Sequence, residues 1–173
     1  MLITLESEKL RVMTVRFNAE TYSENKDFRD RVDWKGCVYG VPIEIAQYVK
    51  KHEKLLILEM NNSNNKIMGI GIIDNNPIYK RFIIYKNKKY NEYNRIIYKG
   101  KHRIDISQIE TSIYQECYGD IMEKLEYICF KGKDHIKRAK GITVVPEKKF
   151  RKHMTEEHIK KIVKLYKTIE NNS

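Results

Sequence analysis

Two short pieces of the chain set a glycine among cations, Lys99-Gly-Lys-His-Arg103 and Lys131-Gly-Lys-Asp-His-Ile-Lys-Arg138. In the first, Lys99, Lys101, His102 and Arg103 can neutralise a phosphate that the backbone N–H groups approach closely. In the second, Lys131, Lys133, His135, Lys137 and Arg138 can do the same. Asp134 reads as a carboxylate that orients a neighbouring Lys or Arg. Either piece alone could be an exposed basic loop with no partner, and their joint occurrence favours binding. Tyrosines interleave with the first piece's surroundings at Tyr79, Tyr85, Tyr90, Tyr93 and Tyr98, with Phe82 beside them. Bases stack on such rings for about 1–3 kcal/mol each. Phe82, Tyr85 and Tyr98 fall in candidate strands whose alternation could send them into the core, so Tyr90 and Tyr93 are the better stacking candidates.

Catalytic patterns are scarce. His52, His102, His135, His153 and His158 show neither H-E-x-x-H nor H-x-E spacing, and the basic segments lack the clustered carboxylates that would hold a metal for phosphodiester cleavage. No G-x-S-x-G, P-loop or dinucleotide fingerprint occurs. His135 could act as a general base, but in a run as cationic as KGKDHIKR a phosphate contact is the simpler role. The expectation is a binder with no catalytic residue, metal or cofactor.

The net charge of +11 supports this once it is located. Tyr79 to Arg103 carries nine Lys or Arg against Glu92, or +8, and Lys131 to Lys152 carries nine against Asp134 and Glu147, or +7. The rest of the chain is therefore net −4. Concentrated positive charge suits nucleic acid, although anionic lipid or an acidic protein could meet it too. No apolar run approaches the length that spans a bilayer, and the N-terminal stretch has acidic residues where a signal peptide would be apolar. Cys37, Cys117 and Cys129 form no C-x-x-C pair and are odd in number, which argues against a disulfide framework or zinc knuckle and for a reducing compartment, cytoplasmic or nuclear.

The elements that must position these residues fit one domain over residues 1–173, of α+β class, with a mixed, partly closed β-sheet and packed helices. Arg11–Phe17 reads as the first strand, and Asn18–Asp33 as a loop with one helical turn. Trp34–Pro42 is a short apolar run punctuated by glycine and proline, a strand end opening into a turn. Glu44–Lys51 predicts a short amphipathic helix burying Ile45, Tyr48 and Val49. Leu55–Met60 and Ile67–Ile73 are the clearest strands, joined by a turn at NNSNN. Gly69 and Gly71 share one face of the second, which lets something approach it closely. Phe82–Tyr85 and Arg95–Tyr98 predict two more strands around the loop KNKKYNEYN. Ser107 could cap a helix running to Tyr127, with Ile109, Ile113, Ile121, Met122 and Leu125 at helical spacing and Gly119 in its middle. Ile142–Val145 predicts a last strand, and Thr155 starts a helix with a stripe of Ile159, Ile162, Val163, Tyr166 and Ile169.

Within this frame the stretch from Trp34 to Ile73 resembles the core of the PUA-like superfold, and within it the YTH and EVE branches that read modified bases. EVE-like domains carry a W-x-G-x-x motif, then a helix, then a strand pair ending in I-x-G-I-G. Here Trp34-Lys-Gly36-Cys-Val-Tyr39 is followed by the expected short helix, by Leu55–Met60 and by Ile67-Met-Gly69-Ile-Gly71-Ile. Gly36 to Pro42 is similar to the segment that supplies the first aromatic wall of a YTH methyl-adenine pocket. The match covers about a quarter of the chain. It departs from those readers in that Trp34 is the only Trp where they enclose the base with two or three. The GKDHIKRAKGIT segment has no counterpart in them. The whole chain also resembles a protein family of large DNA viruses with AT-rich genomes, which would place it in the cytoplasm of an infected host cell.

The resemblance implies an RNA-binding module in which Trp34 and Tyr39 line an aromatic slot for one nucleobase, a methylated one, with flanking phosphates on Lys99 to Arg103 and Lys131 to Arg138. A core aromatic beside a turn is the alternative for Trp34 and Tyr39. Other readings are a binder of the messenger 5′ cap in translation, with Glu44 or Asp33 pairing the cationic base, a methylated-DNA recognition domain, and a nuclease or other enzyme acting on nucleic acid. RNA is the expected partner, DNA the alternative.

Overall fold

The computed structural model describes residues 1–4, 9–80, 82–110 and 113–171. Its main sheet has the order β1-β2-β4-β5-β7, from Leu2–Thr4, Lys9–Phe17, Lys54–Asn61, Lys66–Asp74 and His102–Asp105. β8, Thr143–Val144, pairs with β2 beside β1. β2 and β4 run parallel, and the other pairings are antiparallel, so the sheet is mixed. β3, Cys37–Val41, and β6, Ile96–Gly100, form a second, two-stranded sheet. The chain passes from β6 to β7 through Lys101 alone, so consecutive strands carry it from one sheet into the other. The result is a partly open mixed sheet with helices packed on it.

Alternation explains the two cores. On β2 and β4, Leu10, Val12, Leu56, Leu58 and Met60 face α3, Ile113–Phe130, α4, Glu147–His153, and α5, Glu156–Asn171. Met13, Val15, Phe17, Leu55 and Ile57 face the β3–β6 sheet. Successive side chains point to opposite faces of a strand, and a strand covered on both faces reads as the continuous apolar run Leu55-Leu-Ile-Leu58.

The expected β4–β5 hairpin forms, with Asn65 at φ 57 in its turn. α5 buries Ile162, Tyr166 and Ile169 as its stripe requires, and it follows Thr155, whose Oγ1 accepts from His158 N at 3.4 Å while its own N–H donates to His158 Nδ1 at 3.0 Å. Other expectations are corrected. Asn18–Asp33 is no loop: Ala19–Arg31 is α1, capped by Asn18, whose side chain accepts from Thr21 N at 2.8 Å. Glu44–Lys51 forms no helix, because the Asn75 side chain takes the Val49 and Lys50 carbonyls and the Ile45 N–H donates to Tyr98 Oη; Ile45 and Val49 are buried there but Tyr48 is exposed. The helix that the PUA-like pattern expects between Tyr39 and Leu55 is therefore missing from that place. Phe82–Tyr85 is not a strand. The Asn94 side chain accepts from Ile84 N and Tyr85 N and donates to Tyr85 O, and so supplies what a neighbouring strand would. KNKKYNEYN contains a 3-10 helix, Lys88–Asn94. Of the helix expected from Ser107, the stretches Ile106–Glu110, α2, and Ile113–Phe130, α3, are described and helical, and Ser107 lies inside α2 instead of capping it. The Ile113 side chain lies outside the described residues. No described helix is long and apolar enough to cross a membrane.

Candidate nucleic-acid interface

Some of the residues that the sequence singles out lie in two clefts at opposite ends of β4. One, of about 250 Å³, lies beyond the C-terminal ends of the parallel pair β2 and β4, where Phe17 is in register with Asn61. Tyr90 and Tyr93 on the 3-10 helix line it together with Tyr85, Asn18 and Thr21 at the start of α1, Arg16 and Phe17 from β2, Asn62, and Lys137, Arg138 and Ala139. The other, of about 470 Å³, is bounded by Trp34, Lys54, Ile72 to Asp74, and Lys99 to His102. β4 has eight residues, which at about 3.3 Å per residue puts its ends about 23 Å apart.

In the first cleft the tyrosines are fixed in edge-to-face pairs. Tyr85–Tyr90, Tyr85–Tyr93 and Tyr90–Tyr93 have ring centroids 6.3, 6.1 and 6.3 Å apart. Tyr90 Oη donates to Glu20 Oε2 at 2.9 Å and accepts from Asn18 Nδ2 at 2.8 Å, which ties the 3-10 helix to the start of α1. Lys89, Asn87 and Tyr90 all hydrogen-bond Glu20 and hold its carboxyl down to about 2. Asn87 N donates to Glu24 Oε1, adding a second tie to α1.

Opposite the rings, Lys137 is held by its carbonyl, which accepts from Asn62 Nδ2 at 3.0 Å, while Arg138 is exposed. Arg16 lines the same cleft, and its Nε donates to Ile136 O at 2.7 Å. Arg16 Nη1 and Asn62 Oδ1 are buried without a hydrogen-bond partner among the described residues. Burial lowers the Arg16 pKa to about 10, opposed only by the Cys129 thiol. Among the described residues no carboxylate lines this cleft. Sequence reasoning missed Arg16. Its signal was a lone Arg near the end of an apolar strand, which gains meaning only when the Lys137 loop folds over it.

In the second cleft, Lys99 Nζ sits 3.8 Å from the centroid of the Trp34 ring, and Trp34 Nε1 donates to Cys37 O at 3.1 Å. Trp34, Lys99, Lys101 and His102 thus come together, and Lys131 to Arg138 do not join them. Lys131 and Lys133 are exposed, and His135 Nδ1 accepts from Lys137 N at 3.4 Å. Asp134 meets the buried Lys149, whose Nζ donates to its carbonyl at 2.9 Å and lies 3.8 Å from its carboxylate. Neither acid expected near Trp34 lines that cleft: Asp33 pairs with Lys35, and Glu44 accepts from Tyr79 Oη.

Two expected ligand contacts are structural. Tyr39 is 0% exposed, packs in the core and donates to Glu59 Oε1 at 2.9 Å, so it forms no slot with Trp34. Arg103 is no phosphate-binding loop residue. It lies on β7 and grips Glu59 through Nε–Oε1 at 2.9 Å and Nη2–Oε2 at 2.7 Å, with Nη1 on Asp105 Oδ2 at 2.8 Å. Gly69 and Gly71 make room for this network: side chains of Arg103 and Glu59 fill the space beside the first, and those of Tyr39 and Cys37 the space beside the second. Among the described residues no three His, Cys, Asp or Glu are grouped to hold a metal ion. No protein-family model, curated protein or solved structure matches the chain.

Proposed function

We propose that the protein is an RNA-binding module that reads a nucleobase and does not cut its ligand, and that the tyrosine cleft is its site. The observation that carries this reading is the meeting of Tyr90 and Tyr93, from one basic segment, with Lys137 and Arg138 from the other, in a cleft whose described lining has no acid. A base stacks on the open face of one ring while the adjoining phosphates lie on the cations. Tyr90 and Tyr93 stand at 82° to each other. That geometry offers stacking on a single face, which favours a base of a single strand over a cap sandwiched between two parallel rings. The PUA-like fold stays part of this reading on the sequence resemblance of Trp34 to Ile73 and on a partly open mixed sheet, against the missing helix between Tyr39 and Leu55. The three unpaired thiols fit a reducing compartment.

The test is fluorescence anisotropy with labelled single-stranded RNA and DNA of one sequence, plain, methylated and capped, at several salt concentrations. Affinity falls steeply with salt as counterions are released. Arg138→Ala weakens all sequences alike and lowers the salt slope by about one, whereas Tyr93→Ala costs about 1–3 kcal/mol of stacking. A flat salt response overturns the proposal, and so does Tyr93→Ala binding as tightly as the unaltered protein.

A further inference from the structure

The floor of the tyrosine cleft poses a problem that stacking and surface lysines leave unanswered. Arg16 is the penultimate residue of β2 and makes no ion pair with any described carboxylate, yet it is largely taken out of water. A desolvated charge without a counter-charge is costly, and it persists where something else compensates it. Its one described acceptor is the Ile136 carbonyl, which leaves Nη1 unbonded. Lys137 and Arg138 line the same cleft, so three cationic residues border a space of about 250 Å³ whose described lining has no acid. The 13-residue α1 begins at the same rim through Asn18, with the positive end of its dipole towards the cleft. Three cations exceed the single charge of an internal phosphodiester.

We infer that this floor seats a phosphomonoester carried at the end of a nucleic-acid strand, with Arg16 as its deepest contact and the terminal base against Tyr90 or Tyr93. The inference rests on the nucleic-acid reading of the cleft and adds which part of the strand enters it. A monoester brings close to two negative charges at neutral pH, and it has one covalent neighbour, so it can reach a floor that a chain continuing on both sides would have to leave again. Arg16, Lys137 and Arg138 supply charge-assisted donors to it.

The experiment compares one single-stranded RNA oligonucleotide in three forms, with a 5′-phosphate, with a 3′-phosphate and with neither, against the full chain at fixed salt. One of the phosphorylated forms binds about 10- to 100-fold more tightly than the unphosphorylated form, as expected for one or two charge-assisted hydrogen bonds. Arg16→Met abolishes the preference, so that the phosphorylated and unphosphorylated forms bind alike; Arg16→Lys restores part of it. Equal affinity for all three forms overturns the terminal-phosphate seat, while salt-dependent binding sensitive to Tyr93→Ala would leave the wider proposal standing. Binding of none of the three overturns both. A nucleoside monophosphate that binds as tightly as the phosphorylated oligonucleotide overturns the assignment to a strand end. If Arg16→Met fails to fold, the three-way comparison on the unaltered protein still decides.

Discussion

Replacing Arg103 with Met separates a strut from a ligand contact. Its side chain is 5% exposed and that of Glu59 4%, and the two meet in a two-pronged ion pair at 2.7–2.9 Å. Arg103→Met leaves Glu59 buried with the Tyr39 hydroxyl as its remaining donor. Breaking a buried pair from one side costs about 3–5 kcal/mol, a large part of the 5–15 kcal/mol that holds a typical domain together. At about 2–4 °C per kcal/mol for a chain of this size, the melting temperature falls by about 6–20 °C. Glu59→Leu alone takes from the guanidinium its buried counter-charge and leaves it Asp105, at a cost of the same order. The double variant strands neither charge, and its remaining penalty is the unaccepted Tyr39 hydroxyl at about 1–3 kcal/mol. Urea unfolding of the four proteins therefore gives a double variant more stable than the sum of the single losses by at least about 2 kcal/mol. If Arg103→Met costs less than about 1 kcal/mol and also lowers the salt slope of oligonucleotide binding by about one, the guanidinium faces phosphate and the strut is refuted.

Three further outcomes follow from the same geometry. Glu20 has its carboxyl held down to about 2 by Lys89, Asn87 and Tyr90; because its folded pKa lies below its unfolded one, the tie it makes is fully present above pH about 4.5 and is lost as pH falls through about 2. NMR titration that finds Glu20 protonating near pH 4 would contradict this tether. Burial pushes the Cys37 and Cys129 thiols up to about 12, so at pH 8 a thiol reagent modifies the folded protein at the half-buried Cys117 and reaches all three only in denaturant; rapid labelling of Cys37 would show that the interior is open. Gly71→Ala drives a methyl group into Tyr39 Oη and Cys37 and destabilises by about 1–3 kcal/mol in urea unfolding, whereas unchanged stability would mean that those side chains lie elsewhere.

The parts of this fold that were legible in the sequence are those whose hydrogen bonds are local and whose faces are uniformly apolar or polar. The β4–β5 hairpin is set by alternation and an asparagine turn, and α5 by its stripe. α1 escaped because two of its three buried residues are polar, Asn25 and Arg29, with Asn25 Nδ2 donating to Val38 O; its one local signal was Asn18 three residues before Thr21. Asn75 and Asn94 undid a helix and a strand from 25 and 9 residues away, and no periodicity registers a side chain standing in for backbone. The same limit governed the site. The residue types for phosphate and base were legible in the two basic segments, but which cation meets which ring depended on where β2 and β4 end, and the burial of Arg103 depended on Glu59 in a neighbouring region of the sheet.

The outer edge of β2 is covered in two instalments, by β1 against Lys9 to Arg11 and by β8 against Met13 and Thr14. Thr14 and Thr143 are 129 positions apart. At the 5–20 residues per second of protein synthesis, a ribosome needs about 6–26 s to bring the second after the first. During that interval the middle of β2 has one lateral neighbour missing, and unpaired strand edges recruit other chains. A stop codon after α3 would make that interval permanent. Nascent chains released there should collect in aggregates, while a stop codon placed after Val145 should spare this edge.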